Sequence, residues 1–336
     1  MKDIIDVYPR SSYVYELVVV DGVMRSGKFL HDALVSSLGR CEMWQQYPVI
    51  DSIPYLNRLG HLSTSAAVNL LRREIDMHLY YGMLGRRSNF RCADLSSIWK
   101  YKAPQVYIDR SKGKDEESIL SQIVNKEINP IFCLSTHDVL CNPDVFFEAF
   151  PKMKMVYARR NPIDIVYSWH KKDWGRRIGN EPRSLWLAFK GEKGPIPWFA
   201  TDWKKKYESL SSPMDRIIYS VDWQTKEAMS NYLSLDNNQK EQVFVASFEW
   251  VVTNPEDYLD HLCLHINSER SDHTSRIMKE ENVPRVLSQS NLDMRISEIK
   301  ETASLEAFDH LMSMQEKYHK ESEQYFKLDT FNMRNN

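Results

Sequence analysis

The sequence predicts an α/β fold with a central, mainly parallel sheet flanked by helices, plus a C-terminal amphipathic helix. Three observations carry that expectation. Short apolar or β-branched runs at residues 15–20, 130–134, 153–158, 216–221 and 243–247 alternate with helical patterns, the order that builds a parallel sheet. Several of these runs are apolar throughout rather than alternating, as in strands buried on both faces. Residues 298–325 then place Ala303, Leu305, Phe308, Leu311, Met312, Tyr318 and Tyr325 at helical spacing, expected to pack on the domain or against a partner. No composition break divides the chain, so residues 1–300 read as one domain and 301–336 as a helix and loose tail belonging to it.

Composition excludes several functional classes. The 336 residues are 42% hydrophobic with 44 basic and 46 acidic side chains, so the net charge of −2 offers no global attraction to nucleic acid or an anionic membrane. Any anion site must be local. No apolar run is long enough for a membrane span and no signal-peptide pattern opens the sequence. The five cysteines, Cys41, Cys92, Cys133, Cys141 and Cys263, are scattered without a C-x-x-C pair, which suits reduced thiols and a cytoplasmic location.

The first strand, at 15–20, leads through Gly22-Val23-Met24-Arg25-Ser26-Gly27-Lys28 into a helix marked by Leu30, Leu34, Val35 and Leu38. A glycine-bounded turn with two cations between strand and helix aims backbone N–H groups and a helix N-terminus at an anion. The turn also fills seven positions of the nucleotide loop G-x-x-x-x-G-K-[ST], but Phe29 stands where a hydroxyl would hold magnesium. Residues 41–62 read as an irregular, proline-interrupted, aromatic connection. A helix follows over 63–81, capped by Ser63 or Ser65. Between 82 and 102, Arg86, Arg87, Asn89, Arg91 and Trp99 form a candidate site for an anionic nucleotide or an acidic acceptor. The alternative is a solvated loop. Residues 105–110 suggest a short strand and 115–126 a helix with Ile119, Ile123 and Val124 on one face.

The strand at 130–134 ends in Ser135-Thr136-His137-Asp138, and ligands of open α/β sheets sit beyond the carboxyl ends of strands. His137 is thereby a candidate base. The strand at 153–158 runs into Arg159-Arg160-Asn161-Pro162, where Asn161 caps a helix begun by Pro162. Residues 152–177 hold eight Lys or Arg against two acids, Asp164 and Asp173, which marks a second anion site. Residues 180–203, rich in Pro, Gly and Trp, read as a substrate-side loop. Helices are expected at 203–210, 226–233 and after Phe248-Glu249, with Arg276, Lys279 and Arg285 adding late basic charge.

Two anion sites on successive strand-to-helix turns suit a ligand with phosphates at both ends of a ribose. At this point the chain resembles the sulfotransferases that use 3′-phosphoadenosine 5′-phosphosulfate. Arg25-Ser26-Gly27-Lys28-Phe29 is similar to the family's [KR]-S-G-T-T loop for the 5′-phosphosulfate. Arg160-Asn161-Pro162-Ile163-Asp164-Ile165-Val166-Tyr167-Ser168 matches R-[ND]-P-x-D-x-x-x-S, which grips the 3′-phosphate, at every specified position. The cytosolic members carry K-T-H with the histidine as general base, and Ser135-Thr136-His137 is similar, with serine in place of lysine. The resemblance covers residues 15–249, extending to Arg285 as a late ligand of the 3′-phosphate.

What the resemblance implies is a three-layer, P-loop-like domain that moves a sulfuryl group to a hydroxyl or amine acceptor, with no metal required. Arg25 and Lys28 would meet the leaving phosphate, together with Ser26, Gly27 and Phe29 of the loop. Arg160, Ser168 and Arg285 would hold the 3′-phosphate, and His137 would take the acceptor's proton. A small molecule or glycan is the expected acceptor, the tryptophans suiting a sugar, with Arg86, Arg87, Asn89 and Trp99 on its side. The terminal helix is a candidate dimer contact. Two rivals stand beside this: a nucleotide kinase or ATPase with Asp222 as magnesium ligand, and a non-catalytic nucleotide-binding scaffold.

Overall fold

The structure is a computed structural model describing residues 6–113, 115–178, 184 and 186–325, with side chains through Ser322. The expected loose tail, the side chain of Tyr325 and the first part of the 180–203 loop lie outside the described residues. In chain order the elements are β1 (Glu16–Asp21), α1 (Lys28–Ser36), α2 (Pro48–Arg58), α3 (Thr64–Met83), α4 (Pro104–Lys112), α5 (Glu116–Val124) and β2 (Ile131–Ser135). Then come α6 (Asp144–Ala149), β3 (Lys154–Arg159), α7 (Pro162–Lys171), β4 (Ala188–Lys190), β5 (Pro195–Pro197), α8 (Lys204–Ser209), α9 (Pro213–Ser234) and α10 (Asn237–Glu241). The chain continues through β6 (Val243–Ser247), α11 (Phe248–Thr253), α12 (Pro255–Ile266), α13 (Thr274–Glu280), α14 (Gln289–Thr302) and α15 (Leu305–Tyr325).

Four strands form one parallel sheet in the order β2-β1-β3-β6. Successive side chains of a strand point to opposite faces, and the residues of β1 divide accordingly. Leu17 and Val19 enter a core with α2, α3, α6, α7 and α9. Val18 and Val20 enter a second core with α1, α11 and α12. The result is the expected three-layer α/β arrangement, with β1 and β3 innermost. All five cysteines are free thiols, and among the described residues no helix is long and apolar enough to cross a membrane.

Four local expectations are corrected. Residues 48–58, read as irregular, form α2: Pro48 begins it, where a missing N–H costs nothing, and Pro54 is accommodated inside. Residues 105–110 belong to α4, begun by Pro104. The supposed strand at 216–221 lies within α9, whose Met214, Ile217, Ile218 and Val221 recur at three- and four-residue steps and are buried. The terminal helical pattern is broken at residues 303–304 into α14 and α15. In α15, Ala307, Leu311, Met314 and Tyr318 are buried in the first core, so its apolar face is covered within the chain.

The tryptophans are also mostly structural. Trp169, Trp186 and Trp198 pack with Phe199 in one aromatic cluster inside the core. That removes the sequence-level reason for favouring a sugar ring as acceptor.

Candidate active site

The turn between β1 and α1 has a backbone that few residues tolerate. Gly22 and Gly27 lie at φ 143° and 95°, and Arg25 itself is left-handed at φ 71°. A Cβ on Gly27 would stand 2.4 Å from the Phe248 ring, and one on Gly22 would stand 2.6 Å from the Ala158 carbonyl oxygen. Glycine is required at both positions for space as well as for conformation. No side chain caps the N-terminus of α1, and the buried Ser26 hydroxyl has no hydrogen-bond partner. Unspent donors face the turn, as an anion cradle requires.

Beside this turn the end of β3 delivers a second set of groups. Asn161 Oδ1 accepts from Ile163 N at 3.0 Å and caps α7. Two turns along α7, Ser168 Oγ lies 2.7 Å from Nε of Arg25, which donates to it. Arg160 donates to the Arg25 carbonyl at 3.2 Å, and its guanidinium lies 4.2 Å over the Phe248 ring. Arg285 reaches the same ring at 5.3 Å from a segment more than a hundred residues downstream. Arg25 and Arg285 are both held below the ordinary guanidinium pKa, first by burial and then by the charge of Arg160. Asp164 offsets only part of this charge, lying 3.4 Å from Arg160 while also pairing with Arg295. Three guanidinium groups and a serine hydroxyl thus converge from three separate segments, an arrangement that repels itself unless an anion joins it.

Lys28 and Phe29 depart from the expected roles. The Lys28 ammonium turns inward to the Thr136 carbonyl, where burial lowers its pKa against the opposing pull of Asp21, Asp51, Asp138 and Asp32. Phe29 stacks on Trp44 at 5.1 Å. Neither side chain is turned to the arginine cluster.

His137 sits at the end of β2, buried, with its backbone N donating to Asp51 Oδ1 at 2.8 Å. Its Nδ1 lies 3.1 Å from Asp51 Oδ2, and the Gln46 side-chain amide is 3.2 Å from the same nitrogen. Asp51 only accepts, so its contact calls for the proton on Nδ1 and the lone pair on Nε2; the Gln46 amide nitrogen, itself a donor, calls for the opposite, and the charged partner is the stronger of the two. Burial and then the Lys28 charge push the imidazole pKa below its ordinary value, Asp51 opposing them. Asp51 comes from α2, the segment read as irregular, and was not anticipated; nor were Gln46 and Phe248. The residue after His137, Asp138, is left-handed at φ 61° and buried, with the Trp186 indole N–H as its polar neighbour. Burial, with the charge of Asp21, raises its pKa well above the ordinary carboxyl value.

Of the residues expected beside an acceptor, Arg86, Arg87 and Asn89 line one cleft with Gln46. Asn89 spends its amide on Asp94 and Ser96, each at 3.1 Å. Trp99 does not line the cleft; its indole N–H donates to the Phe90 carbonyl at 3.1 Å. Asp222, the magnesium candidate of the kinase reading, lies on α9 rather than at a strand end, paired with Lys226 at 2.8 Å and His310 at 2.9 Å.

No family model matches the chain, and no curated protein matches it. Among solved structures it is similar to the sulfotransferase domain from the curacin biosynthetic pathway, at 11% identity and a TM-score of 0.45, covering 90% of this chain and 98% of that one. It is also similar to the sulfotransferase domain of the Synechococcus PCC 7002 olefin synthase, at 10% identity and a TM-score of 0.41 over 93% of this chain and 97% of that one. A third likeness is to retinol dehydratase, solved with androsterone and the inactive cofactor PAP, at 16% identity and a TM-score of 0.33 over 97% and 84% of the two chains.

Proposed function

We propose that this chain is a sulfotransferase that moves a sulfuryl group from 3′-phosphoadenosine 5′-phosphosulfate to a hydroxyl on a small molecule. The observation that carries the proposal is the convergence of Arg25, Arg160, Arg285 and Ser168 around Phe248. Two phosphate-bearing ends of one nucleotide supply the charge that this cluster lacks. The unpartnered Ser26 hydroxyl, the uncapped start of α1 and the tight approach at Gly27 suit the same occupant.

The donor supplies the sulfuryl group and the leaving phosphate. In this reading Arg160, Ser168 and Arg285 fix the 3′-phosphate, while Arg25 and the loop N–H groups neutralise charge growing on the bridging oxygen. Nε2 of His137 receives the acceptor's proton as the new oxygen–sulfur bond forms and the sulfur–oxygen bond to the 5′-phosphate breaks. Asp51 holds the imidazole in the required tautomer, as the aspartate of a catalytic triad does. Lys28 acts on this base through its charge, helping keep the imidazole neutral. The scheme asks for no metal, and a cytoplasmic location is part of the proposal.

Calorimetric titration with 3′-phosphoadenosine 5′-phosphate tests it, with ATP plus magnesium as the control. Arg160→Ala is expected to weaken bisphosphate binding by about 1.5–3 kcal/mol, the scale of a lost charge-assisted contact. A preference for ATP with magnesium that ignores Arg160 would favour a kinase. Tight bisphosphate binding with no turnover of any acceptor would leave a nucleotide-binding scaffold.

A further inference from the structure

The cleft beside His137 narrows the chemistry of the acceptor. Residues 43–47 run alongside β2 as a partial extra strand: Gln45 N donates to the Cys133 carbonyl at 3.0 Å, and Ser135 N donates to the Gln45 carbonyl at 2.8 Å. That pairing carries Gln46 to Nδ1 of His137. The opposite wall is the end of α3 and the turn after it, which present Arg86, Arg87 and Ser88. Between the walls is a cavity of about 180 Å³ whose lining holds two guanidinium groups with amides and hydroxyls, and no carboxylate.

The two arginines are not equivalent. Arg86 pairs with Glu116. Arg87 has no carboxylate partner among the described residues; its guanidinium rests 4.5 Å over the Tyr81 ring, on a backbone held at the left-handed φ of 58°. Across the cleft, Tyr47 stacks on His78 with ring centroids 3.3 Å apart. His78 is held neutral, its pKa lowered to about 4 first by burial and then by Arg87. The cleft therefore carries, exposed at its mouth, one cation without a carboxylate partner among the described residues, and Gln46 of the same lining reaches His137.

We propose that the acceptor is a small molecule bearing a carboxylate besides the hydroxyl that receives the sulfuryl group, and that Arg87 is its counter-charge. The word acceptor rests on the sulfotransferase reading; the anion site itself does not. A guanidinium matches a carboxylate bidentately. A neutral occupant would displace water from Arg87 without replacing its hydrogen bonds, a loss that disfavours binding.

The test uses the full chain saturated with 3′-phosphoadenosine 5′-phosphate and two matched pairs of probes, 4-hydroxybenzoate with 4-hydroxybenzamide and glucuronate with glucose. Binding is followed by calorimetry and by saturation transfer from the protein to each probe. The charged member of at least one pair is expected to bind at least ~10-fold more tightly, the scale of one charge-assisted contact. Arg87→Gln should erase that preference. Arg73→Gln, which removes an exposed charge elsewhere on α3, should leave it intact. No preference in either pair, including no binding at all, overturns the proposal, and so does a preference that survives Arg87→Gln. Failure of the donor reading is seen separately: the bisphosphate would not bind, while the Arg87-dependent preference, measured without it, would remain.

Discussion

In the proposed role of base, His137 needs a neutral imidazole with its lone pair on Nε2, and Lys28, Asp51 and burial favour both conditions. Burial and Lys28 lower its pKa from the ordinary 6.5, so the acid limb of a kcat/KM profile is expected below pH 6.5. Removing the Lys28 charge, as in Lys28→Met, lifts one of the two depressing influences and should move that limb upward. His137→Ala is expected to lower kcat by about 10²–10⁴-fold, the usual yield of general-base catalysis. Asp51→Asn should lower kcat with little effect on bisphosphate binding, and long-range ¹H–¹⁵N spectra should show the Nδ1–H tautomer of His137 in the parent protein but not in the variant. Finding the Nε2–H tautomer in the parent would remove His137 from the role of base. None of this partnership could be read from residue types, because Asp51 lies in a proline-bearing segment that looks irregular until α3 and the sheet are there to pack against.

Elements whose local signals agree with their burial were legible, and those where tertiary packing overrode a local signal were not. β1, β2, β3 and β6 fall where apolar runs place them, as do α3 with its Ser63 cap and α7 with its Asn161 cap. The RIIYSV run within α9 reads as a strand because a short β-branched stretch has no visible period of its own; 22 residues of context make it a helix. At the site, Arg25, Arg160 and Ser168 were visible through motif spacing and Arg285 only through the family resemblance, whereas the inward turn of Lys28 depends on carboxylates scattered from Asp21 to Asp138.

On α1, the buried neighbours His31 and Asp32 make stability pH-dependent in opposite senses. Burial holds the Asp32 carboxyl up at about 8, so the stability it permits is full below the unfolded value near ~4 and is lost as pH rises through 8. Burial pushes His31 down to about 3, so its contribution is present above the unfolded value near ~6.5 and is lost as pH falls toward 3. Asn at position 32 keeps an acceptor for the Ser135 hydroxyl, now 2.7 Å away. The melting temperature of Asp32→Asn should therefore gain on that of the parent steadily between pH 5 and pH 8. A constant difference across that window would show that Asp32 is not the titrating group.

For the molecule as a whole, α15 is tied to the arginine cluster proposed to hold the donor. Tyr318 donates to Glu249 Oε2 at 2.6 Å, and Glu249 Oε1 accepts the Asn161 backbone N–H at 3.0 Å, next to Arg160. Tyr318→Phe leaves a buried carboxylate oxygen without its partner and is expected to cost about 1–3 kcal/mol in urea unfolding, with weaker bisphosphate binding as a second effect. Unchanged stability would mean that water replaces the hydroxyl. The strand order has a further consequence. The proposed base follows β2 and the proposed 3′-phosphate grip follows β3, with β1 and its loop between them, so two inter-strand spacings, ~10 Å, separate the two groups. Under the proposed donor binding, the hydrogen-bonded sheet is a ruler laid along the nucleotide, its gauge set by backbone geometry rather than by any side chain. Substitutions can therefore change what is held at either end, while the distance between the ends stays as constant as the pitch of a β-sheet.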